Sequence, residues 1–338
     1  MLTASAVLAA VAYLGFEIAL RVVQGGCYSY LPYRLNGSFP TLPPAASFCA
    51  VNSERARIAY VTDREGARRA SQAQARLPCE HCVMTIGDSQ AFGYGLAYES
   101  TFTAIYAART RRQSTIVAAS ADDPDYERLA AAQYVAATHV TPESVFVVIN
   151  FGNDLDELFL GRRTIDTRGA GASSWLPEHS FVYADLALAG RILMRKLVHT
   201  SLLPPGTNPV VYALTPSDFP VVEAELARDT VEIVRETHAR TAVAILIPPD
   251  YAVSASEFTK YKSYYTAAEY ALWRSRLPHM TAVMTSVEDG LARQLVARGV
   301  RVLDTRNILA SIAPERAFDR FSHHLTPLAN RLIANELK

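Results

Sequence analysis

Five short apolar runs spaced by helical patterns constrain this chain more than any other feature of it. They are Val83–Ile86, Ser114–Ala118, Val145–Phe151, Ala242–Ile247 and Val300–Leu303. Each is short, rich in β-branched residues and bounded by Gly, Pro or Asp, which is the pattern of buried strands. Between them, Thr101–Arg112, Tyr126–His139, Val221–His238 and Thr281–Arg298 read as helices. Near-continuous apolar strands alternating with helices predict an α/β domain whose parallel sheet is covered on both faces. In such sheets functional residues gather beyond the carboxyl ends of the strands.

Three loops at or near such ends carry residues suited to chemistry. Gly87-Asp88-Ser89 follows the first run directly. A serine at a strand-to-helix turn can expose its hydroxyl above the sheet, and flanking glycine permits the tight turn. Phe151-Gly152-Asn153-Asp154 follows the strongest run. There a side-chain amide can donate to an oxygen that becomes negative during acyl transfer. Asp319-Arg320-Phe321-Ser322-His323-His324-Leu325-Thr326-Pro327 precedes a C-terminal helical pattern. Histidine can take the proton of a serine hydroxyl near neutral pH, and a carboxylate can orient the imidazole. Each tripeptide alone also makes an ordinary turn; their order and placement give them weight together.

Together these blocks resemble the SGNH/GDSL hydrolase family over about Val83 to Lys338, through G-D-S, G-N-D and H-L-T-P-x-x-N. The resemblance implies a three-layer α/β/α, flavodoxin-like fold. It makes Ser89 the nucleophile and its backbone N–H an oxyanion donor, with Asn153 as the side-chain donor. His324, immediately before Leu-Thr-Pro, aligns with the catalytic base, and Asp319 is the nearest candidate for the acid. The family places its Asp two or three residues before the His, where this chain has Ser322 and Phe321. His323 is therefore the alternative base, or the acid comes from elsewhere. The family's second block offers a glycine N–H; Val117–Asp122 has no glycine, so the expected donor there is the backbone of Ser120 or Ala121. The activity implied is hydrolysis of an acyl ester, acetyl by expectation, on cell-envelope or extracellular carbohydrate. The alternatives are O-acetyl transfer at the same site, or a non-catalytic envelope scaffold or carbohydrate-binding protein. No cofactor is implied.

The rest of the chain bears on location and partners. Residues 1–23 are expected to form a transmembrane anchor or signal segment, because Leu2–Leu20 is apolar or small except for Glu17. An even count of four cysteines after such a segment suggests an oxidising, extracytoplasmic location and two disulfides. Cys27–Cys49 and Cys79–Cys82 are the natural pairs, although spacing does not fix connectivity. The C-x-x-C at Cys79 lacks a second ligand pair at metal-site spacing, so no metal is expected. Residues 24–78 read as a stem or lid packed irregularly on a 79–338 hydrolase-like domain, with an insertion at 161–217. That insertion carries a Gly-rich loop, Gly169–Ser174, and an apolar and basic run, Phe181–His199, expected to be an amphipathic helix. Lys and Arg (33) balance Asp and Glu (33), with no basic block, which argues against a nucleic-acid partner.

Overall fold

The computed structural model describes residues 2–23, 25–28, 31, 34–36, 39–52, 54, 56–118, 124–159, 214–263, 265–320 and 322–338. Most of the 161–217 insertion and Ser120 lie outside the described residues.

All five predicted runs form strands, here β6 (Val83–Gly87), β7 (Ser114–Ala118), β8 (Ser144–Asn150), β9 (Thr241–Ile247) and β10 (Arg301–Asp304). Every pairing among them is parallel, in the spatial order β10-β9-β8-β6-β7. Counted from β6, this is the doubly wound order 2-1-3-4-5, whose direction of winding reverses between β6 and β8. That reversal opens a crevice at the carboxyl ends of the two strands, where connections leave to opposite faces.

The sheet is central because its side chains alternate between two apolar faces. Phe146 and Val148 of β8 pack with Val243 and Ile245 of β9 under Phe102, Tyr106, Ile333 and Leu337. Phe102, Tyr106 and Ile333 belong to the helices Phe102–Thr110 and Pro327–Glu336, and Leu337 caps the second. Val145 and Val147 face the other way, toward Ala131, Tyr134 and Ile233. On that side the helices Pro124–Thr138, Phe219–Thr237 and Ala267–Ala297 complete the third layer, and Trp273, Met280 and Leu291 cover Ala244 and Leu246. All seven residues of β8 are buried. Truncating a side chain such as Phe146 there would cost about 3–5 kcal/mol.

The segment expected as an irregular stem is instead part of the sheet. Beyond a small hairpin of β1 (Arg34–Asn36) and β2 (Phe39–Thr41), β3 (Ser47–Val51), β4 (Arg57–Thr62) and β5 (Arg68–Arg69) extend it. They run β7-β5-β4-β3, antiparallel throughout, so the sheet is mixed rather than wholly parallel. Arg68, fully buried, locks this extension to the core. Its guanidinium donates to the carbonyls of Phe92 (2.6 Å), Gly93 (3.0 Å) and Leu96 (2.5 Å) and lies over the Tyr60 and Phe92 rings. The cysteines pair as Cys27–Cys49 and Cys79–Cys82.

The N-terminal segment is helical over Leu2–Val23. Among the described residues, however, no helix is long and apolar enough to cross a membrane. The helix carries Glu17 ion-paired with Arg21 at 2.7 Å, a charged pair that hydrocarbon disfavours.

Candidate active site

Hydrogen bonds join the three loops singled out by sequence, the first two of which meet at the carboxyl ends of β6 and β8. Gly87 ends β6 with φ +149°, and a Cβ there would lie 2.7 Å from the Ala91 Cβ and 2.9 Å from that of Val148. Only glycine lets the chain turn this close to β8. Asp88 then caps the short helix Ser89–Phe92, its carboxylate accepting from the Gln90 N–H at 2.8 Å. Ser89 thereby stands at the first position of that helix, its hydroxyl 3.5 Å from Asp88 Oδ2.

Asp88 also ties this turn to the loop after β8. Its Oδ2 accepts from Asn150 Nδ2 and from Asn153 Nδ2, each at 2.7 Å. Burial raises the Asp88 pKa, and the Asn150 amide, the Gln90 N–H and the Asn153 amide partly offset it. Asn153, expected as a donor near the nucleophile, is thus held beside Ser89 by one amide hydrogen. A side-chain amide carries two, so a second remains for another acceptor.

The histidine loop is a tight turn closed by a bridge between Phe318 and Leu325, with the Asp319 N–H donating to the His324 carbonyl at 2.8 Å. Its two imidazoles have different surroundings. His323 Nδ1 lies 2.8 Å from Oδ2 of Asp250, whose side chain is fully buried. Tyr261 stacks on the His323 ring at 4.2 Å and donates its hydroxyl to Asp250 Oδ1 at 3.0 Å; the Tyr251 N–H reaches that same oxygen at 2.7 Å. Lys260 donates to the Asp319 carbonyl at 2.6 Å and stands 3.9 Å from Asp250 Oδ2. With Nδ1–H directed at a fixed carboxylate, Nε2 is the basic nitrogen of His323.

His324, the expected base, is placed otherwise. Its ring stacks on Tyr94 at 4.8 Å, and its Nδ1 is buried without a hydrogen-bond partner. Burial, then the neighbouring His323, hold its pKa down to about 4, with Asp319 acting weakly the other way. A base so weak is poorly matched to proton abstraction near neutral pH. The expected acid, Asp319, uses its carboxylate to accept the Ser322 N–H at 2.8 Å, inside its own loop. The expected His324–Asp319 pair is therefore not formed. The loop closes between residues 318 and 325, and it is His323, not His324, that meets a carboxylate, that of Asp250.

Asp250 was not singled out by sequence, although a signal existed. It follows Pro248-Pro249 at the carboxyl end of β9, the neighbour of β8, where a doubly wound sheet places functional groups. Beside the histidine loop lies a cleft of about 250 Å³ bordered by Tyr94, His324, Asn52, Glu54, Asp319 and Arg320, among others. Among the described residues no cluster of His, Cys, Asp and Glu could hold a metal ion.

Ser89 and Asn153 thus meet at the Asp88 carboxylate, and the Gln90 side chain ties the loop of His323, whose imidazole is backed by buried Asp250, to the same turn. Solved structures similar to this chain include a lipolytic protein of the G-D-S-L family from Desulfitobacterium hafniense (12% identity, TM-score 0.39, covering 76% of this chain and 97% of that one). Others are a lipase/acylhydrolase from Enterococcus faecalis (12%, 0.38, 76% and 95%) and a catalytic mutant of an acetylxylan esterase from Geobacillus stearothermophilus (10%, 0.40, 77% and 93%). No family model matches the chain, and no curated protein does.

Proposed function

We propose that this protein is a serine hydrolase that cleaves a short acyl ester of a polar alcohol. The observation that carries the reading is the His323–Asp250 contact of 2.8 Å on a loop tethered beside Ser89. In this reading His323 Nε2 takes the proton of the Ser89 hydroxyl as its oxygen attacks the ester carbonyl. Asp250 holds the Nδ1–H and stabilises the imidazolium that forms. The Ser89 backbone N–H and the second amide hydrogen of Asn153 receive the oxyanion. The imidazolium returns its proton to the departing alcohol, leaving an acyl-Ser89 ester that a water, activated by the same imidazole, hydrolyses.

The substrate class in this reading is an ester of a hydroxyl-bearing alcohol such as a sugar. What supports it is the cleft of about 250 Å³ beside the histidine loop, where Asn52, Glu54, Glu315, Asp319 and Arg320 stand with apolar Ile58, Leu96 and Pro327; Ser89, His323 and Asn153 are not on its border. The two disulfides support an oxidising compartment outside the cytoplasm.

A fluorophosphonate probe tests the chemistry. The wild type should be labelled at Ser89, Ser89→Ala should not be, and turnover of p-nitrophenyl acetate should exceed that of the octanoate. Failure of the folded wild type to label, while a control serine hydrolase reacts, would remove the reading and favour a non-catalytic binding role.

A further inference from the structure

The nucleophile turn and the histidine loop lie 233 residues apart in the chain, and the Gln90 side chain joins them. Its Nε2 donates to the His323 carbonyl at 2.7 Å, and its Oε1 accepts the Leu325 N–H at 3.0 Å. The two peptide groups flank His324, so a single amide grips the loop on both sides of that residue. Gln90 is itself fixed from the other end, because its backbone N–H donates to the Asp88 carboxylate at 2.8 Å. The amides of Asn150 and Asn153 meet that same carboxylate. One continuous chain of hydrogen bonds therefore runs from the loop after β8, through the nucleophile turn, to the loop that carries His323. Gln90 is 6% exposed, and a buried amide is costly unless both its ends are paired, as they are here. An apolar residue of similar volume would fill the space without that demand, so the amide points to a need for register.

We propose that Gln90 is a positioning residue: its amide fixes where the His323 imidazole stands relative to the Ser89 hydroxyl. The inference rests on the reading of Ser89 and His323 as nucleophile and base. Proton transfer and attack tolerate little displacement, and a shift of about 1 Å can cost on the order of 10²-fold in rate. The loop can slide only if both bonds to Gln90 break.

Gln90→Glu makes the test specific. An ionised carboxylate has no hydrogen to donate to the His323 carbonyl and sets one acceptor against another. A protonated Glu has the same shape and regains a donor. In the full-length protein, phosphonylation of Gln90→Glu should lag the wild type by about 10²-fold at about pH 8. The lag should narrow at least about tenfold toward pH 5 as the introduced carboxyl takes up its proton. KM for p-nitrophenyl acetate should move less than about threefold, because the variant alters alignment and not binding. A purely structural role predicts a lag that does not change with pH at temperatures well below unfolding; that result, or no lag at all, would overturn the proposal.

Gln90→Leu supplies a readout independent of chemistry at Ser89. Hydrogen exchange of the Leu325 amide should accelerate at least about tenfold while the β8 amides keep their protection. Unchanged exchange at Leu325 would overturn the clamp. A wild type inert toward esters and the probe counts against the hydrolase reading alone, and the exchange of Leu325 then decides whether Gln90 holds the loop.

Discussion

At each end of the central sheet a histidine faces a carboxylate, yet the two pairs are physically unlike. At the amino ends of β6 and β8, His81 stands 3.9 Å from Glu143, its side chain 80% exposed. Arg112 and Arg240 share that carboxylate at 3.5 Å each. At the carboxyl ends, His323 meets Asp250 at 2.8 Å, and the Asp250 side chain is 0% exposed. The first pair is solvated, contested by guanidinium groups and worth about 0–1 kcal/mol. In the second the carboxylate is withdrawn from water and held by donors from three directions, while the imidazole keeps one side toward solvent. The same residue types acquire chemistry at one end because parallel strands send their loops to converge there, and a reversal of winding opens the crevice that receives them.

The largest expected effect breaks the comparison at its carboxylates. Asp250→Asn should lower kcat for p-nitrophenyl acetate by about 10³- to 10⁴-fold, because an amide at that position favours the wrong imidazole tautomer. Glu143→Gln should leave turnover within about twofold, as befits an exposed pair. Asp319→Asn should cost less than about fivefold, since its carboxylate serves the turn and not the ring. Steady-state kinetics on the three variants checks the ordering, and equal losses at Asp250 and Asp319 would erase the distinction.

A smaller effect concerns stability. The His324 pKa lies at about 4 in the fold against an ordinary 6.5, so the folded state resists a proton that the unfolded chain accepts. The linkage therefore makes the fold lose stability as pH falls from about 6.5 toward 4, by up to roughly 3 kcal/mol. His324→Phe keeps a ring against Tyr94 and removes the titrating group. Its Tm should fall less steeply than that of the wild type over that interval, and parallel curves would show that His324 does not titrate as described.

Much of this arrangement is readable from residues alone. β-branched runs such as Val145–Ile149 announce strands because burial on both faces leaves no polar position within them. Ser89 and Asn153 follow strand ends directly, so local pattern and topology agree on them. Asp250 lies 73 residues from His323, and nothing local couples the two; Asp250 follows β9 and the histidine loop follows β10, the strand beside it in the sheet. The choice between adjacent histidines depends on how the loop closes at Phe318 and Leu325, a matter of one residue's rotation. Arg68-Arg69 lies in the segment expected to be a stem or lid, yet it forms β5. Arg68 is buried because aromatic faces and carbonyl oxygens await its guanidinium, and those partners are supplied by distant parts of the chain.

The central claim is that His323, not its neighbour, serves Ser89. The most direct measurement is the rate of fluorophosphonate labelling at Ser89 in His323→Ala and His324→Ala, each confirmed folded by its near-ultraviolet spectrum. The account predicts a loss of about 10³-fold or more for His323→Ala and less than about tenfold for His324→Ala. Labelling that survives loss of His323 and vanishes with His324 would contradict it.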